Sequence, residues 1–198
     1  MFANTDWFQH ATYNEMDLLA AAQSLLILMT ILFFCMKGSK DLPTPNADDF
    51  PTEAQILVGA WEVKQQLAMT GLFLNFEMNS HRPRWRDWAT TEAKRRTILS
   101  LHHLEWAWSL LHGYPVLTCF ELGPLPAPAP GYLWRESDEQ IWERQYADWL
   151  GVWKNGSYKM AEFFYINADE PLNVRAETWL AEADEFGGML MAEGNRTT

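Results

Sequence analysis

The sequence predicts an all-α fold, a multi-helix bundle of long packed helices with a proline-rich crossing segment. Three observations support this class. Apolar residues recur at helical spacing in most segments, capping signals precede several of them, and no two segments alternate as paired strands would. A hydrophobic content of 48% in 198 residues is ample for a buried core. We therefore expect some five or six helices.

The first predicted helix covers residues 12–36. Thr12 and Glu15 have the spacing of a capping box at its start. Residues 18–36 are uncharged and reach the length at which a transmembrane helix must be considered. Three polar residues within the stretch argue against a span: Gln23, Ser24 and Thr30. A helix that is apolar all round is otherwise a central core helix, and both alternatives stay open at this point.

The next two predicted helices are also long. A second capping box, formed by Thr52 and Gln55, opens a helix that runs toward Gly71. Residues 87–111 form the third helix, whose apolar positions fall into two arcs at 100° per residue. The first arc holds Ile98, Leu101, Leu104, Trp108 and Leu111, and the second holds Trp88, Leu99, Trp106 and Leu110. Two arcs predict that this helix packs on two sides.

A proline-rich segment, residues 118–134, interrupts the helices. Its prolines alternate at positions 124, 126, 128 and 130, which favours an extended, rigid connector over a recognition peptide. A capping box at Ser137 and Gln140 opens the next helix, whose apolar face consists of Trp142, Tyr146, Trp149, Leu150 and Trp153. Residues 158–166 fit helix or strand, and one last helix follows Pro171.

The charge balance limits the partners. With 26 acidic and 15 basic residues the formal net charge is −11, so the field of the whole molecule repels nucleic acids and anionic membranes. Any DNA contact would have to be local. Two cysteines, Cys35 and Cys119, are too few for a zinc module or a disulfide framework, which favours an intracellular protein with reduced thiols.

The sequence contains no signature of catalysis. His102 and His103 are adjacent, so on a helix they point about 100° apart and do not bind one metal. Neither cysteine has a local histidine partner, and the glycines form no phosphate-binding loop. We therefore expect no enzymatic activity, no metal site and no cofactor in this chain.

A cluster of basic residues is the strongest candidate for a binding site. It consists of Arg82, Arg84, Arg86, Lys94, Arg95 and Arg96, interleaved with Trp85 and Trp88. Such a pattern is typical of a nucleic-acid patch. Glu92, however, precedes Arg95 and Arg96 by three and four residues, the spacing of ion pairs on a helix. A structural ion-pair network is the favoured interpretation of Lys94, Arg95 and Arg96. Whether the three arginines ahead of the helix face solvent or a partner is left open.

The central part of the chain resembles a known family. The segments WRDWATTEAKRRTILSLHHLEWAWSLLHGYP, CFELGPLPAPAPGYLW and ERQYADWL are similar to the central motif of the fungal-specific transcription factor domain, the middle homology region. The matching positions are Trp88, Glu92, Arg95, Arg96, Tyr114, Pro115, Cys119, Glu121, Leu122, Leu125, Pro126 and Trp134. The segment ELGPLPAPAP is most similar to the corresponding segment of family members that carry two-cysteine, two-histidine zinc fingers.

This resemblance covers most of the chain and implies a single regulatory domain over residues 1–198. The family works in the nucleus of filamentous fungi, as regulators of RNA polymerase II transcription. The motif residues that we expect to have a structural role are Trp88, Glu92, Arg95, Arg96, Glu121, Pro126 and Trp134. Family members bind DNA through zinc modules, for which this chain has too few cysteines, and this leaves open whether it belongs to a longer regulator or stands alone.

By resemblance, the chain acts through protein partners, including a second copy of itself, or through an apolar small-molecule effector. It would reach DNA only indirectly, and its apolar first helix would be buried in protein and not in a membrane. The alternative function is a stand-alone relative that serves as an enzyme or small-molecule binder in a biosynthetic gene cluster of secondary metabolism. Its 11 tryptophans would then line a cavity, although a packed core explains them better.

Overall fold

The computed structural model describes residues 13–35, 53–78, 81–112, 122–167 and 169–194. Within these residues 73% of the chain is helical and none forms a strand, which confirms the all-α class. The chain divides into two compact units, Met1–Thr70 and Gly71–Thr198. The single regulatory domain over 1–198 stays a prediction.

The described part of Met1–Thr70 is a pair of helices. Helix α1 spans Glu15–Thr30 and continues as a π-helical turn, Ile31–Cys35, and α2 spans Glu53–Met69 and packs against α1. The predicted cap at Thr12 is wrong, because the extended Asn14 caps α1 by accepting the Asp17 N–H at 3.0 Å. Thr12 and Thr52 themselves lie outside the described residues.

The described part of Gly71–Thr198 is a larger helical unit. In chain order it contains α3 (Asn75–Met78), α4 (Trp85–His112), α5 (Gly131–Trp134), α6 (Glu139–Val152), a 3₁₀ helix (Met160–Tyr165), α7 (Val174–Glu182) and α8 (Glu185–Gly194). Helices α3 and α5 were not predicted. Each is a single turn, too short for an apolar period to show.

Helix α4 is buried on two sides, as its two apolar arcs predict. Ile98, Leu101, Leu104 and Trp108 are buried on one arc, and Trp88 and Leu99 are buried on the other. The last turn differs from the prediction, because Leu110 and Leu111 are exposed. The two-sided packing therefore covers the helix up to that turn.

Within the described part of the proline-rich segment, residues 126–130 are extended up to the start of α5, and backbone hydrogen bonds fix the chain around Pro126. The Ala127 N–H donates to the Tyr158 carbonyl at 2.8 Å, and the Met160 N–H donates to the Leu125 carbonyl at 2.9 Å. These bonds form an isolated antiparallel bridge between Pro126 and Lys159. The ambiguous stretch 158–166 is thus a short bridge followed by a 3₁₀ helix.

Two predicted boundaries in the C-terminal half are wrong. Asp138, and not Ser137, caps α6 by accepting the Ile141 N–H at 2.9 Å, because a carboxylate one residue later is better placed for the first turn. The single last helix is two helices, because Asp184 accepts the Gly187 N–H at 3.0 Å and starts α8 anew.

Aromatic residues dominate the core of Gly71–Thr198. One cluster of its described residues contains Ala127, Trp153, Tyr158, Phe163, Ile166, Ala176, Trp179 and Met191. A second contains Trp88, Ala129, Leu133, Trp142 and Tyr146. The predicted apolar face of α6 contributes to both clusters, which confirms its role in packing. The proline-rich segment also contributes to both, through Ala127 and Ala129.

Candidate functional site

Glu92 is the centre of a buried cluster of charged side chains. Its Oε1 accepts hydrogen bonds from Arg96 Nε at 2.9 Å and from the Ala129 N–H at 2.9 Å. Its Oε2 lies 3.7 Å from Nη1 of Arg95. The side chain is 1% exposed. The predicted pairing of Glu92 with both arginines is therefore confirmed.

Arg95 joins α4 to the chain that precedes it. Its guanidinium donates two hydrogen bonds to the carboxylate of Glu77 in α3, and its Nε donates to the Leu72 carbonyl at 2.8 Å. Burial alone would lower the pKa of Arg95, but the hydrogen bonds and charge of Glu77 and the charge of Glu92 raise it. The arginine is therefore held charged, with both neighbouring carboxylates as counter-ions.

Arg96 connects α4 to three other parts of this unit. Its Nη1 donates to Asp184 Oδ2 at 2.7 Å, and its Nη2 donates to the Ala129 carbonyl at 2.8 Å. The guanidinium carbon lies 4.8 Å from the ring centroid of Trp134 and 5.4 Å from that of Phe186. One side chain thus ties α4 to the proline-rich segment, to α5 and to the start of α8.

The basic residues separate into two groups. Lys94, Arg95 and Arg96 are buried, so they do not present a surface to phosphate groups. Arg82, Arg84 and Arg86 are exposed, and Arg82 pairs with Glu143 of α6 at 3.0 Å. The burial of the triplet favours the ion-pair interpretation of the basic segment over the nucleic-acid patch.

A small cavity lies beside the cluster. It has a volume of about 30 Å³, and its lining includes Glu77, Arg95, Tyr146, Trp149, Trp153 and Ser157. Such a volume has room for one or two water molecules. Burial raises the pKa of Tyr146, and the negative charge of Glu77 raises it further, while Arg95 opposes the shift. The phenol is therefore neutral at physiological pH.

The remaining motif residues also have structural positions. The indole of Trp88 lies 5.1 Å from that of Trp142 and 6.0 Å from the Tyr146 ring, measured between centroids. Pro126 forms the bridge to Lys159. The structure thus brings Glu92, Arg95, Arg96 and Trp134 together in the cluster, places Trp88 in the adjacent aromatic core and leaves Pro126 apart. Glu121 lies outside the described residues, as do Tyr114, Pro115 and Cys119.

Sequence reasoning missed two members of the cluster. Glu77 lies in a segment without clear periodicity, and no local signal connects it with Arg95. Asp184 did carry a signal, since an aspartate before a helical run is a common cap. Because Asp184 lies inside an apparently continuous helical pattern, that cap signal was not recognised.

The histidines of α4 lie away from this cluster. His102 and His103 are half-buried, and the ring of His103 stacks on Trp106 at 5.7 Å between centroids. Among the residues that the structure describes, no group of three or more histidine, cysteine, aspartate or glutamate side chains is arranged to hold a metal ion.

A second ion pair holds the C-terminal part of the unit. Arg175 of α7 donates to both carboxylate oxygens of Glu162 at 2.9 Å, and the Lys159 N–H donates to the same carboxylate at 2.9 Å. Burial alone would raise the pKa of Glu162, but these hydrogen bonds and the charge of Arg175 lower it. Both clusters pair acids with arginines and join separate elements, which is an arrangement suited to structural support.

Comparison of the chain with protein-family models, with curated proteins and with solved structures finds no match. The relation to the fungal transcription factor domain therefore depends on the motif resemblance alone.

Proposed function

We propose that the chain is the regulatory domain of a fungal RNA polymerase II transcription regulator. It acts in the nucleus through protein partners or an effector, and these 198 residues, with too few cysteines for a zinc module, reach DNA indirectly. The observation that supports this proposal is the burial of the motif residues Glu92, Arg95 and Arg96 in one ion-pair cluster. These three residues, which the family motif groups together in sequence, pair with one another in the protein interior. We expect such structural support in a domain that regulates by holding partners rather than by catalysis.

The charge of the molecule supports action through proteins. The net charge is −11, and the densest basic triplet of the sequence is buried. A direct DNA reader needs exposed lysines and arginines against the phosphates. A partner that carries the zinc module would supply that contact.

The alternative, an enzyme or small-molecule binder, has less support. The cavity beside the charged cluster measures about 30 Å³ and a second one, lined by residues 165–167 and 170–173, about 120 Å³, whereas sites for drug-sized ligands measure roughly 300–1,000 Å³. Seven aromatic side chains contribute to the core clusters, in line with their interpretation as packing residues: Trp88, Trp142, Tyr146, Trp153, Tyr158, Phe163 and Trp179.

A reporter assay tests the proposed function. The chain is fused to a bacterial repressor's DNA-binding domain, and expression of a reporter with the matching operator is measured in a fungal cell. We expect the fusion to change reporter expression several-fold relative to the DNA-binding domain alone. An Arg82→Ala variant, altered at an exposed pair, should keep the response, and a Glu92→Gln variant, altered in the buried cluster, should lose it.

A fusion that accumulates as a folded protein and leaves the reporter unchanged would contradict the proposal. Localisation offers a second check, since a fluorescent fusion should concentrate in the nucleus when the regulator's partners are present. Sequence-specific binding of duplex DNA by the isolated chain would also contradict it, because the chain would then need no partner.

A further inference from the structure

Helix α1, with the π-helical turn that continues it, exposes a broad apolar face opposite its buried stripe. The stripe consists of Leu19, Ala22, Met29 and Phe33. At about 100° per residue, the exposed positions cover roughly half of the helix circumference. The large apolar side chains on that face are Met16, Ile27, Leu28, Ile31, Leu32 and Phe34. A helix that is apolar all round is normally enclosed by protein, so half of the surroundings of α1 remain to be supplied.

The exposed face of α1 is large enough for a stable interface. Ile27 and Leu28 are 60% and 63% exposed, and the other four large side chains are between 39% and 57% exposed. A fully exposed large side chain has an accessible area of about 200 Å², so the six together offer roughly 600 Å². This is most of the area that a stable interface buries on each partner, about 800 Å².

The two halves of this face differ in the size of their side chains. Toward the N-terminus of α1 the exposed side chains are small: Ala20, Ala21 and Ser24. In the next two turns they are large: Ile27, Leu28 and Ile31. When two copies of α1 lie antiparallel about a two-fold axis, the small half of each faces the large half of the other. A parallel pair would instead place small on small and leave a gap, which close packing disfavours.

The charges of the chain favour the same arrangement. Residues 18–36 carry no charge, so two copies with a net charge of −11 meet here without bringing charged side chains into contact. The exposed Asp17 lies at the N-terminal end of the face. With Ala20 opposite Ile31, the two Asp17 residues of an antiparallel pair lie about 25 Å apart along the helix axes. That separation exceeds the screening length of about 8 Å in physiological salt, whereas a parallel pair would bring the two carboxylates together.

A bilayer is the main competing occupant of this face. The 20 residues of Glu15–Phe34 would span about 30 Å, the thickness of a hydrocarbon core. A spanning helix, however, faces lipid around its whole circumference, and α2 packs against α1. Insertion would separate the two helices or carry Glu62 and Lys64 of α2 into hydrocarbon, where charged side chains are strongly unfavourable. A second copy covers the exposed face and leaves α2 in place.

We propose that the chain forms a symmetric dimer through the exposed face of α1, with the two α1 helices antiparallel. Ile31 of each copy packs on Ala20 of the other, and Ile27 packs on Ser24. An interface that uses the same surface on both subunits closes on itself, so it yields a dimer and not a polymer. The dimer depends on the surface of α1 alone and goes beyond the function proposed above.

Sedimentation equilibrium of the full chain tests the dimer. We expect the mass to rise with concentration from 23.0 kDa to twice that value, with a Kd on the order of micromolar. Ile27→Gln combined with Leu28→Gln should weaken the dimer by roughly tenfold or more, because it removes exposed apolar contacts and no buried one. The matched control is Val174→Gln in α7, which is 77% exposed and should leave the Kd unchanged. Circular dichroism should show the same helix content for all variants.

Ala20→Leu separates a fitted interface from general apolar adhesion. The position is exposed, so the substitution adds apolar surface to α1 without disturbing a buried contact. Nonspecific association and membrane insertion would both become stronger. In the proposed dimer the added side chain meets Ile31 of the second copy, and we expect roughly tenfold weaker dimerisation through overpacking.

Mixing two variants tests the antiparallel register. Ser24→Glu and Ile27→Lys each place a charge in the apolar interface, so each variant alone should be monomeric. In an equimolar mixture the new carboxylate of one chain faces the new ammonium of the other. The mixture should therefore form a heterodimer, and high salt should weaken it.

Four results would overturn the inference. The chain could stay monomeric at roughly 100 µM, or Ala20→Leu could associate more tightly than the original chain. The mixed variants could fail to pair, which would exclude the antiparallel register, or the chain could float with phosphatidylcholine vesicles, which would assign the face to lipid. A monomeric chain that changes reporter expression would overturn the dimer and leave the regulatory function standing. A dimer without any reporter response would support the inference and contradict the regulatory function alone.

Discussion

At the scale of single residues, the charged cluster depends most on Glu92. Its carboxylate faces Arg95 and Arg96 in a region where all three side chains are buried. Glu92→Gln keeps an oxygen that accepts the Ala129 N–H but removes the negative charge. Two buried arginines then lose a shared counter-ion, and we expect the free energy of unfolding to fall by about 3–5 kcal/mol. Urea denaturation followed by circular dichroism measures this change.

The control for this prediction is an exposed pair of the same chemistry. Arg82 and Glu143 are 44% and 40% exposed, so water screens their attraction. Arg82→Ala should change the free energy of unfolding by about 0–1 kcal/mol. Equal effects of the two substitutions would show that burial gives Glu92 no special role.

Two adjacent glycines of α8 provide a second prediction. A Cβ on Gly187 would lie 3.1 Å from two carbons of the Trp179 ring, whereas a Cβ on Gly188 would meet nothing within 4 Å. Trp179 has little room to move, because it stacks on Tyr158 and its Nε1 donates to the Pro128 carbonyl at 3.1 Å. Gly188→Ala should stabilise the protein by roughly 0.5–1 kcal/mol through helix propensity. Gly187→Ala should destabilise it by about 1–2 kcal/mol, since overpacking exceeds that gain.

Thermal unfolding of the two alanine variants, side by side, checks this prediction. Both substitutions have the same gain in helix propensity, so the difference between their midpoints measures the close contacts at position 187, with Trp179 and with the Cβ of Ala183, which would also lie 3.1 Å away. If Gly187→Ala were as stable as Gly188→Ala, the packing of Trp179 against α8 would be looser than the structure describes.

At the scale of elements, the 3₁₀ helix and α7 are joined by an ion pair that depends on pH. Burial alone would raise the pKa of Glu162, but the hydrogen bonds from Arg175 and from the Lys159 N–H, together with the charges of Arg175 and Lys159, outweigh burial and lower the pKa below its ordinary value of 4.5. The unfolded chain therefore binds more protons near pH 4 than the folded chain. The stabilisation is complete above pH 4.5 and is lost as the pH falls through the folded-state pKa.

A double-mutant cycle measures this dependence. The free energy of unfolding is determined for the original chain, for Glu162→Gln, for Arg175→Met and for both together, between roughly pH 3 and 7. We expect a favourable coupling at neutral pH that shrinks in acid. A coupling that stays constant across this range would contradict the lowered pKa.

The same elements show what local sequence specifies. Helices α4 and α6 were predicted because their apolar periods are long, and the extended proline segment was predicted because alternating prolines exclude a helix. Helices α3 and α5 are single turns without such a period. The division between α7 and α8 lies at Asp184, which caps α8 by accepting the Gly187 N–H, and the apparently continuous apolar period around it concealed that local signal.

In the charged cluster too, local sequence predicts the contacts within one helix but not those between distant residues. The contacts of Glu92 with Arg95 and Arg96 are three and four residues apart, so helical geometry predicts them. Glu77 and Asp184 lie 18 and 88 residues from their arginine partners, and only the folded chain brings them together. Trp134 lies over Arg96 for the same reason. The sequence thus predicts the local half of the cluster.

At the scale of the whole molecule, the net charge opposes direct binding of the chain to DNA. The formal net charge is −11, and the buried triplet Lys94, Arg95 and Arg96 is unable to contribute to a phosphate-binding surface. Arg84 and Arg86 are exposed, but a DNA interface needs several phosphate contacts at once. We therefore expect the isolated chain to bind a labelled duplex of about 20 base pairs only weakly, with a Kd above roughly 100 µM at physiological salt.

Fluorescence anisotropy, repeated with Arg84→Glu combined with Arg86→Glu, checks this expectation. If the two exposed arginines are a local DNA patch, the original chain will bind tightly, its affinity will fall steeply with salt and the double variant will lose it. None of these three results is expected, because the long-range field of 26 acidic residues opposes the approach of the phosphates. The sensitive comparison is at low salt, where weak screening makes that repulsion strongest and a local basic patch would also attract DNA most. Failure to bind even there would agree with the proposal that the chain reaches DNA only through a partner.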